Sequence, residues 1–512
     1  MSRVDKVARN MKFALLCQAA SVIVNFVLRK VFVATLGEEY LGLNGLFSDI
    51  LSMLSLAELG FGTSIIFSLY KPVAEENTEK IKSLMRLYRN IYTAVGLFVL
   101  IAGTSLAPRL DLFVKEMPDI AHIRLIYLLN VFNTAVSYFF VYKASLLFAD
   151  QKKYVELIIN TAVKTVCAVL QIAVLLTLRN YLVYLALMIF GTVVQNLLIS
   201  HQTDKRDPYL KDKNIRPLEK EDKDTIRTNV GAMAFHKFGS VVIFSTDSIL
   251  TAKLVSVAAV GLYSNYMLIR KAVLMVIETM FHGITSGMGN LNAAESNEKK
   301  YEAFRNIFFF SSWLFGFCSI CLAELYNPFI SLWLGEKYLF DKSVVLLIVV
   351  YFYLYCMRIP VASCKEAMGL FKYDKYKPIP EALFNLVFSI VLAKRMGIAG
   401  IVLGTVISTL LVPFWIEPLV VYRHGFGRKV TGFFVRYGVY TLAAVVAWGV
   451  TAFLCGLTAP GPVGFIVKML ICAAVPNVLF LAFYFKTREF AYLKTVAFSM
   501  LGKICGRIVK KS

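Results

Sequence analysis

Long apolar stretches, separated by short polar and basic gaps, run along almost the whole chain. About 20 apolar residues in an α-helix cross a hydrocarbon core of about 30 Å, so each stretch is long enough, or nearly so, to span a membrane. The pattern predicts an all-α polytopic membrane protein with 14 transmembrane helices. They are expected near residues 11–36, 41–70, 90–107, 123–148, 155–177, 181–200, 229–252, 256–286, 306–326, 343–370, 379–394, 398–421, 437–456 and 463–485.

Composition supports this prediction and sets the orientation. Of the 512 residues 58% are hydrophobic, and the mean hydropathy is +0.65, which excludes a water-soluble globule. The net charge of +22 could indicate nucleic acid, but the Lys and Arg residues concentrate in alternate gaps between spans. The membrane is therefore the expected partner, no nucleic acid is expected, and both termini are predicted to be cytoplasmic.

The two halves of the chain resemble each other. A shift of 219 residues lays Leu41-Gly42-Leu43 on Val260-Gly261-Leu262, and a shift of 222 residues lays Lys143 on Lys365. Each half contains six spans, an even number, so the halves are expected to be parallel repeats related by an axis along the membrane normal. The predicted domains are an N-terminal six-helix bundle (1–201), a cytoplasmic linker (202–227), a C-terminal six-helix bundle (228–422), two additional transmembrane helices (423–487) and a basic amphipathic cytoplasmic tail (488–512).

The first span carries a polar stripe that ends in an arginine. Gln18, Ser21, Asn25 and Arg29 follow one another at three- and four-residue steps, so they share one face of a helix. Arg29 lies about two turns before the end of the span, a depth at which a lone cation costs a few kcal/mol. The stripe favours a polar cavity on this face, although snorkelling of Arg29 and Lys30 to the outer headgroups is the alternative.

Other charged residues lie inside the spans that open each half. The cations are candidates for binding anionic oxygens, and the acids are candidates for coupling to an ion. Internal neutralisation is the alternative, with Lys237 or Lys271 paired to Asp247 or Glu278. The candidate substrate ligands are Asn25, Arg29, Lys237, Arg270 and Lys271, and the candidate ion-coupling residues are Glu58, Asp247 and Glu278.

No motif typical of an enzyme is found in the sequence. There is no HExxH, no nucleophile elbow and no Walker lysine loop, so no catalytic residue, cofactor or metal is expected, and an ATP-driven pump is excluded. Cys318 and Cys321 read as CxxC inside an apolar span, without a second pair or a histidine cluster nearby. They are interpreted as packing residues.

Several short motifs lie along the chain: Ala57-Glu58-Leu59-Gly60-Phe61-Gly62, Thr246-Asp247-Ser248-Ile249, Val260-Gly261-Leu262-Tyr263-Ser264-Asn265-Tyr266, Gly287-Met288-Gly289-Asn290-Leu291, Gly397-Ile398-Ala399-Gly400-Ile401 and Leu403-Gly404-Thr405. Together they resemble the polysaccharide flippase branch of the multidrug/oligosaccharidyl-lipid/polysaccharide (MOP) exporter superfamily. The resemblance covers residues 5 to about 485. It implies two six-helix bundles plus two C-terminal helices, which move an undecaprenyl-pyrophosphate-linked oligosaccharide to the outer leaflet by alternating access.

The resemblance also bears on the site. Relatives that flip the peptidoglycan precursor use cavity arginines on the first helix, and Arg29 lies at about that place; where they place a further cation on the second helix, this chain has Asp49 and Glu58. The expected function is a lipid-linked oligosaccharide flippase in the bacterial plasma membrane. Membrane lipids and glycosyltransferases or a polymerase of the same pathway are expected partners. The alternatives are a cation-coupled multidrug exporter of the same superfamily and a membrane polysaccharide polymerase or ligase.

Overall fold

The computed structural model describes residues 3–58, 61–150, 152–212, 214–224, 226, 230 and 245–495, and within these ranges it contains helices and no strand. Short 3-10 turns and one π-helical turn, Val421–Phe426, join some of the helices. The segment 245–254 is also helical. The α-helices are α1 Arg3–Leu36, α2 Glu38–Leu54, α3 Phe61–Ala74, α4 Thr78–Leu106, α5 Ile123–Ala149, α6 Lys153–Thr177, α7 Tyr181–Arg206, α8 Val257–Ala294, α9 Asn297–Trp333, α10 Lys342–Ala367, α11 Pro378–Met396, α12 Ile398–Leu411, α13 Pro413–Val420, α14 Thr431–Gly456 and α15 Pro462–Tyr484.

The chain divides into two compact units. Unit 1 runs to Ser264 and unit 2 begins at Asn265, so the division falls within α8. Unit 1 contains α1 to α7, the segment 245–254 and the first turns of α8. Unit 2 contains the rest of α8 and α9 to α15.

The long apolar helices confirm a multi-pass membrane protein. In the described ranges, nine helices are long and apolar enough to cross a membrane, and a tenth is the bent pair Ile123–Phe139 and Val141–Ala149, which meet at 42°. Ten of the 14 predicted spans correspond to these helices. This set does not include the other four predicted spans, 41–70, 229–252, 256–286 and 379–394. The span 229–252 falls largely on residues that the structure does not describe.

The predicted second span, 41–70, is divided in the structure. Helix α2 ends at Leu54, a 3-10 turn covers Ser55–Glu58, and α3 begins at Phe61. In the sequence, glycines at 60 and 62 stand on either side of Phe61, the first residue of α3, and glycine is about 1 kcal/mol less favourable than alanine in a helix. The apolar pattern thus predicted the length of this region but not its interruption.

The segment 75–89 is basic but keeps an apolar stripe, a pattern that predicts a separate amphipathic helix on the inner leaflet. In the structure, residues 78–89 are instead the first part of α4. Asn77 caps this helix by accepting a hydrogen bond from the Lys80 backbone N–H at 3.0 Å. Lys82 and Ser83 are buried, and their side chains bond to Asp212 at 2.8 Å and to the Arg216 carbonyl at 2.6 Å. The apolar stripe of this segment therefore packs against protein rather than lipid.

Two glycines that the internal repeat aligns meet in unit 1. A Cβ atom on Gly42 of α2 would lie 1.9 Å from the Val257 carbonyl oxygen, and one on Gly261 of α8 would lie 2.3 Å from the Glu38 carbonyl oxygen. Only glycine permits such an approach of two helix backbones.

In unit 2, α11 and α12 form a tight antiparallel pair. Gly397, with φ of +56°, makes the turn between them. A Cβ on Gly400 would lie 2.3 Å from the Leu392 carbonyl carbon, and one on Gly404 would lie 2.6 Å from the Ser389 backbone nitrogen. The glycine motif at 397–404 is therefore explained by close helix packing.

Aromatic side chains join the two C-terminal helices to α9 in unit 2. Phe308 packs on Phe433 of α14 with ring centroids 4.8 Å apart, and Phe309 meets Tyr484 of α15 edge-on at 5.2 Å. The described start of the predicted tail continues this contact, because Phe490 stacks on Trp313 of α9. Glu489 pairs with Arg305. Burial raises the pKa of the Glu489 carboxyl, but its hydrogen bonds and the positive charges of Arg305 and Arg436 together outweigh burial and leave that pKa below its usual value.

Candidate functional site

Arg29 is held by a specific hydrogen bond in unit 1. Its Nη1 donates to the Ser264 hydroxyl at 2.8 Å, and that hydroxyl donates in turn to the Gly261 carbonyl at 2.8 Å. Arg29 is half-buried in α1, and Ser264 belongs to the first turns of α8. The guanidinium is thus oriented by the protein, and its fork of N–H donors suits a carboxylate or phosphate ligand.

Aromatic rings surround the region of α1 just beyond Arg29. Phe32 meets Tyr181 and Tyr184 of α7 at 5.7 and 5.3 Å, and Tyr40 of α2 meets Tyr181 at 5.1 Å. Tyr181 and Tyr184 are buried. A cation beside such a cluster is poorly solvated, which raises its affinity for anionic oxygens. The geometry favours an oriented anion ligand over a headgroup anchor.

The candidate residues of α8 divide between two environments. Ser264, Lys271 and Glu278 are spaced seven residues apart, so they share one helix face, and Lys271 and Glu278 are exposed. Arg270 is buried in unit 2, where its guanidinium lies over the rings of Tyr351 and Tyr355 at 4.7 and 5.1 Å. Lys271 is therefore available to a ligand, whereas Arg270 is packed among aromatic rings.

The internal pairing that was the alternative for the lysines is absent for Lys271, which forms no ion pair within the described ranges. Lys237 lies outside the described residues. Asn25, one turn before Arg29 on the stripe, is exposed.

Asp247 lies in unit 1, in the helical segment 245–254, and is buried. Its carbonyl accepts a hydrogen bond from the Thr251 hydroxyl at 2.7 Å. At the end of the same segment, Lys253 donates to the carbonyls of Asp111 and Val114, both at 3.1 Å. The two hydrogen bonds of Lys253 attach the segment to the loop that precedes α5.

Glu58 is the centre of a network of hydroxyl groups in unit 1. Its Oε1 accepts a hydrogen bond from the Tyr92 hydroxyl of α4 at 2.5 Å, and the Tyr138 hydroxyl of α5 also bonds to Glu58 and Ser55. A Cβ on Gly62 would lie 2.6 Å from the Tyr92 hydroxyl oxygen, so glycine at this position leaves room for the network.

A second charged cluster, in unit 2, was not anticipated as a unit. Arg358 of α10 donates to both carboxylate oxygens of Glu417 of α13, at 3.1 and 3.0 Å, and lies 3.3 Å from Glu381 of α11. Lys377 pairs with Glu417, and Lys365 with Asp374 at 2.5 Å. The sequence signal that could have found this cluster is the presence of acidic residues inside the predicted spans 379–394 and 398–421. Every charge in this cluster has an opposite partner, which is typical of ion pairs that hold neighbouring helices together.

In the described part of the chain, no group of three or more His, Cys, Asp or Glu side chains is arranged to hold a metal ion. Cys318 and Cys321 are half-buried in α9.

These features, many apolar spans with charged residues inside them, define a polytopic membrane protein, and comparison with solved structures gives its fold. The lipid II flippase MurJ in an inward closed conformation superposes with a TM-score of 0.65 at 12% identity, covering 92% of this chain and 99% of that one. An inward-facing multidrug resistance MATE family transporter of the MOP superfamily gives 0.61 at 13% identity, covering 78% and 95%. A MOP superfamily transporter from Pyrococcus furiosus, described as having a binding pocket of reverse polarity, gives 0.56 at 13% identity, covering 83% and 96%.

The chain therefore shares the fold of these MOP superfamily transporters, and this is the fold that the resemblance read from the sequence implies. No protein-family model matches the sequence, and no curated protein is similar to it.

Proposed function

We propose that this protein is a flippase that moves an undecaprenyl-pyrophosphate-linked oligosaccharide from the inner to the outer leaflet by alternating access. The observation that carries the proposal is Arg29, a cation inside an apolar span that is oriented by Ser264. Retaining a cation there costs free energy, and an anionic headgroup that must cross the membrane explains why it is retained. Arg29, Asn25, Lys237 and Lys271 bind the pyrophosphate in this proposal, with Arg270 supporting α8 from within unit 2.

The proposal includes an arrangement in the cell. The protein lies in the bacterial plasma membrane with 14 spans and both termini in the cytoplasm, and its domains follow the boundaries predicted from the sequence. Asp247, Glu58 and Glu278 are the residues available for ion coupling. The cycle can also draw on the membrane voltage, which is worth about 2.3 kcal/mol per charge per 100 mV for an anion moving outward.

A cation-coupled multidrug exporter is the second candidate, and the likeness to a MATE family transporter favours it. The two candidates differ in the sign of charge they require. A cationic drug needs accessible carboxylates, whereas a pyrophosphate needs accessible cations. Arg29 and the exposed Lys271 support the flippase. A membrane polymerase or ligase would need a large outer domain, and the predicted outer gaps are short.

The test uses proteoliposomes and a synthetic undecaprenyl-pyrophosphate-linked disaccharide that carries a dithionite-sensitive fluorophore. We expect Arg29→Ala to slow flipping of the probe about tenfold or more, because a hydrogen bond to a charged group is worth about 1.5–3 kcal/mol. The triple variant Arg29→Ala, Lys237→Ala, Lys271→Ala should abolish it. Each variant must reconstitute in amounts equal to the wild type.

Lys30→Ala is the matched control, because Lys30 is the exposed neighbour of Arg29 on α1 and does not lie on the polar stripe. If both residues were only headgroup anchors, the two single variants would behave alike. Normal flipping by the triple variant would refute the proposal, and export of cationic dyes that is lost on neutralising acids would support the drug exporter.

A further inference from the structure

A continuous chain of hydroxyl groups leads to Glu58 in unit 1. The Ser145 hydroxyl donates to the Tyr88 hydroxyl at 3.0 Å, Tyr88 donates to Tyr92 at 3.3 Å, and Tyr92 donates to Oε1 of Glu58 at 2.5 Å. All three hydrogen bonds point in the same direction and end on the carboxylate. The two tyrosine rings meet edge-on with centroids 4.6 Å apart, which fixes their hydroxyls in this order.

The chain is enclosed by protein along its length. Tyr88 and Tyr92 are 2% and 4% exposed, and Ser145 is 8% exposed. Ser145 lies in the last turn of α5, and Tyr88 lies towards the start of α4. That end of unit 1 carries polar contacts such as the Lys82–Asp212 pair at 2.8 Å. The hydroxyl chain therefore runs from the polar end of these helices towards the carboxyl in the middle of the bundle.

We propose that Glu58 is a proton-binding site and that Ser145, Tyr88 and Tyr92 relay the proton to it. In the relay, the Tyr92 O–H bond breaks as an O–H bond forms on Glu58. Tyr92 takes a proton from Tyr88, Tyr88 takes one from Ser145, and Ser145 takes one from water. The net result is one proton moved from water to the carboxylate, and the hydroxyl groups are regenerated. Release reverses these steps.

The donors around Glu58 distinguish a proton site from a metal-cation site. A cation such as Na⁺ needs oxygen lone pairs directed at it, whereas Tyr92 directs its hydrogen at the carboxylate. The titratable groups that face Glu58 from the described parts of the packed helices include Tyr88 and Tyr92 of α4 and Tyr138 of α5. Tyrosine hydroxyls can both donate and accept, which is the property that a proton relay requires.

The consequence for transport rests on the proposed function. If flipping requires Glu58 to load and release a proton in each cycle, the rate will depend on the pH gradient as well as on the voltage. Proton binding itself does not depend on the substrate, so the two claims can be tested separately.

The direct test is infrared difference spectroscopy of the purified full-length protein in nanodiscs, recorded while the pH is changed. The wild type should show a titrating band of a protonated carboxyl group, and the band assigned to Glu58 should be lost in Glu58→Gln. Tyr92→Phe removes the hydrogen bond from Tyr92 to Glu58, so the midpoint of the Glu58 band should change in this variant.

Tyr127→Phe is the matched control. Tyr127 is fully buried on α5, like the relay residues, but its hydroxyl has no hydrogen-bond partner among the described residues. The midpoint should stay at the wild-type value in this variant. Should Glu58→Gln fail to fold, Glu58→Asp keeps a carboxyl group and must show the band at a shifted midpoint. A carboxyl band that is unchanged in both Glu58→Gln and Tyr92→Phe would overturn the proposal.

Transport is then measured with the labelled disaccharide probe and a pH-sensitive dye inside the liposomes. Proton movement that accompanies flipping in the wild type, and is lost in Glu58→Gln and slowed in Tyr92→Phe, supports the relay as the coupling path. Flipping with no Glu58 band overturns the relay and leaves the flippase proposal intact. A titrating Glu58 without flipping of the probe refutes the flippase proposal and leaves the proton site.

Discussion

The charged residues inside the spans serve two different purposes, and their partners separate them. Arg358, Glu417, Glu381 and Lys377 neutralise one another across α10, α11 and α13. Arg29 is instead bonded to a neutral serine. A charge balanced by its neighbours can remain buried without a ligand, whereas the flippase proposal assigns Arg29 to an anionic headgroup.

We predict that breaking the unit 2 cluster destabilises the protein strongly. Glu417→Ala leaves Arg358 and Lys377 with one carboxylate, and removing one partner of a buried pair costs about 3–5 kcal/mol. The apparent Tm in detergent should fall markedly. In the double variant Arg358→Met, Glu417→Leu, the Lys377–Glu381 pair remains balanced, and most of the loss should be recovered.

The control for this prediction is the exposed pair Lys71 and Glu75, whose atoms are 3.8 Å apart. Lys71→Ala should change stability by less than about 0.5 kcal/mol, because exposed ion pairs contribute little. A Glu417→Ala protein as stable as Lys71→Ala would show that the cluster does not fasten the helices.

Residues could be predicted from the sequence where the signal is local. Arg29 stands out because a cation interrupts an apolar span, and its polar stripe is visible within 12 residues of α1. Ser264, its partner, lies on another helix, and Tyr92 and Ser145 lie on helices distant in sequence from Glu58. Those partnerships depend on how the helices pack, which apolar periodicity does not encode.

Close helix crossings determine which elements can pack in this fold. The crossing of α2 and α8 at Gly42 and Gly261 brings two backbones together without side chains between them. Without a hydrophobic driving force in lipid, such small-residue contacts supply much of the energy of helix association. The repeat alignment had paired these glycines by number, but their direct contact is visible only in the structure.

We predict that Gly42→Ala and Gly261→Ala each lower the apparent Tm of the purified protein. A new Cβ would overlap a backbone carbonyl, and backbone atoms cannot move aside as a side-chain tip can. Overpacking of this kind costs about 1–3 kcal/mol. Gly449→Ala is the control, since no atom lies within 4 Å of its added Cβ on α14. Equal stability of all three variants would contradict the crossing.

Helices were predictable where length and hydropathy agree. Spans near 155–177, 343–370 and 463–485 correspond closely to α6, α10 and α15. The segment 75–89 was placed on the membrane surface because its alternating apolar and basic residues suit an interface. The same pattern equally suits the end of a helix that packs under a polar loop. The hydrogen bonds of this segment to the loop around 212–216 show that the second arrangement is the one that forms.

At the scale of the whole molecule, composition predicts the class and the orientation. An apolar fraction of 58% requires a membrane, and the described helices agree with it. Many of the Lys and Arg residues lie in the gap between the halves, where they stand among acidic residues, and in the basic tail. Because basic segments are retained on the cytoplasmic side, this distribution predicts that both termini and the loop after α7 are cytoplasmic.

The orientation is tested with single cysteines at Lys211, in the loop after α7, and at Asp341, just before α10. Both positions are exposed, and Asp341 makes no side-chain cap bond, so neither change should disturb the fold. The nine native cysteines are first replaced. An impermeant thiol reagent applied to intact cells should label Asp341→Cys and not Lys211→Cys, because the predicted topology puts an even number of spans before 211 and an odd number before 341.

Permeabilised cells serve as the control, in which both cysteines must react. Labelling of Lys211→Cys alone in intact cells would mean that the protein is inserted the other way, and the polarity proposed for flipping would then have to be reversed.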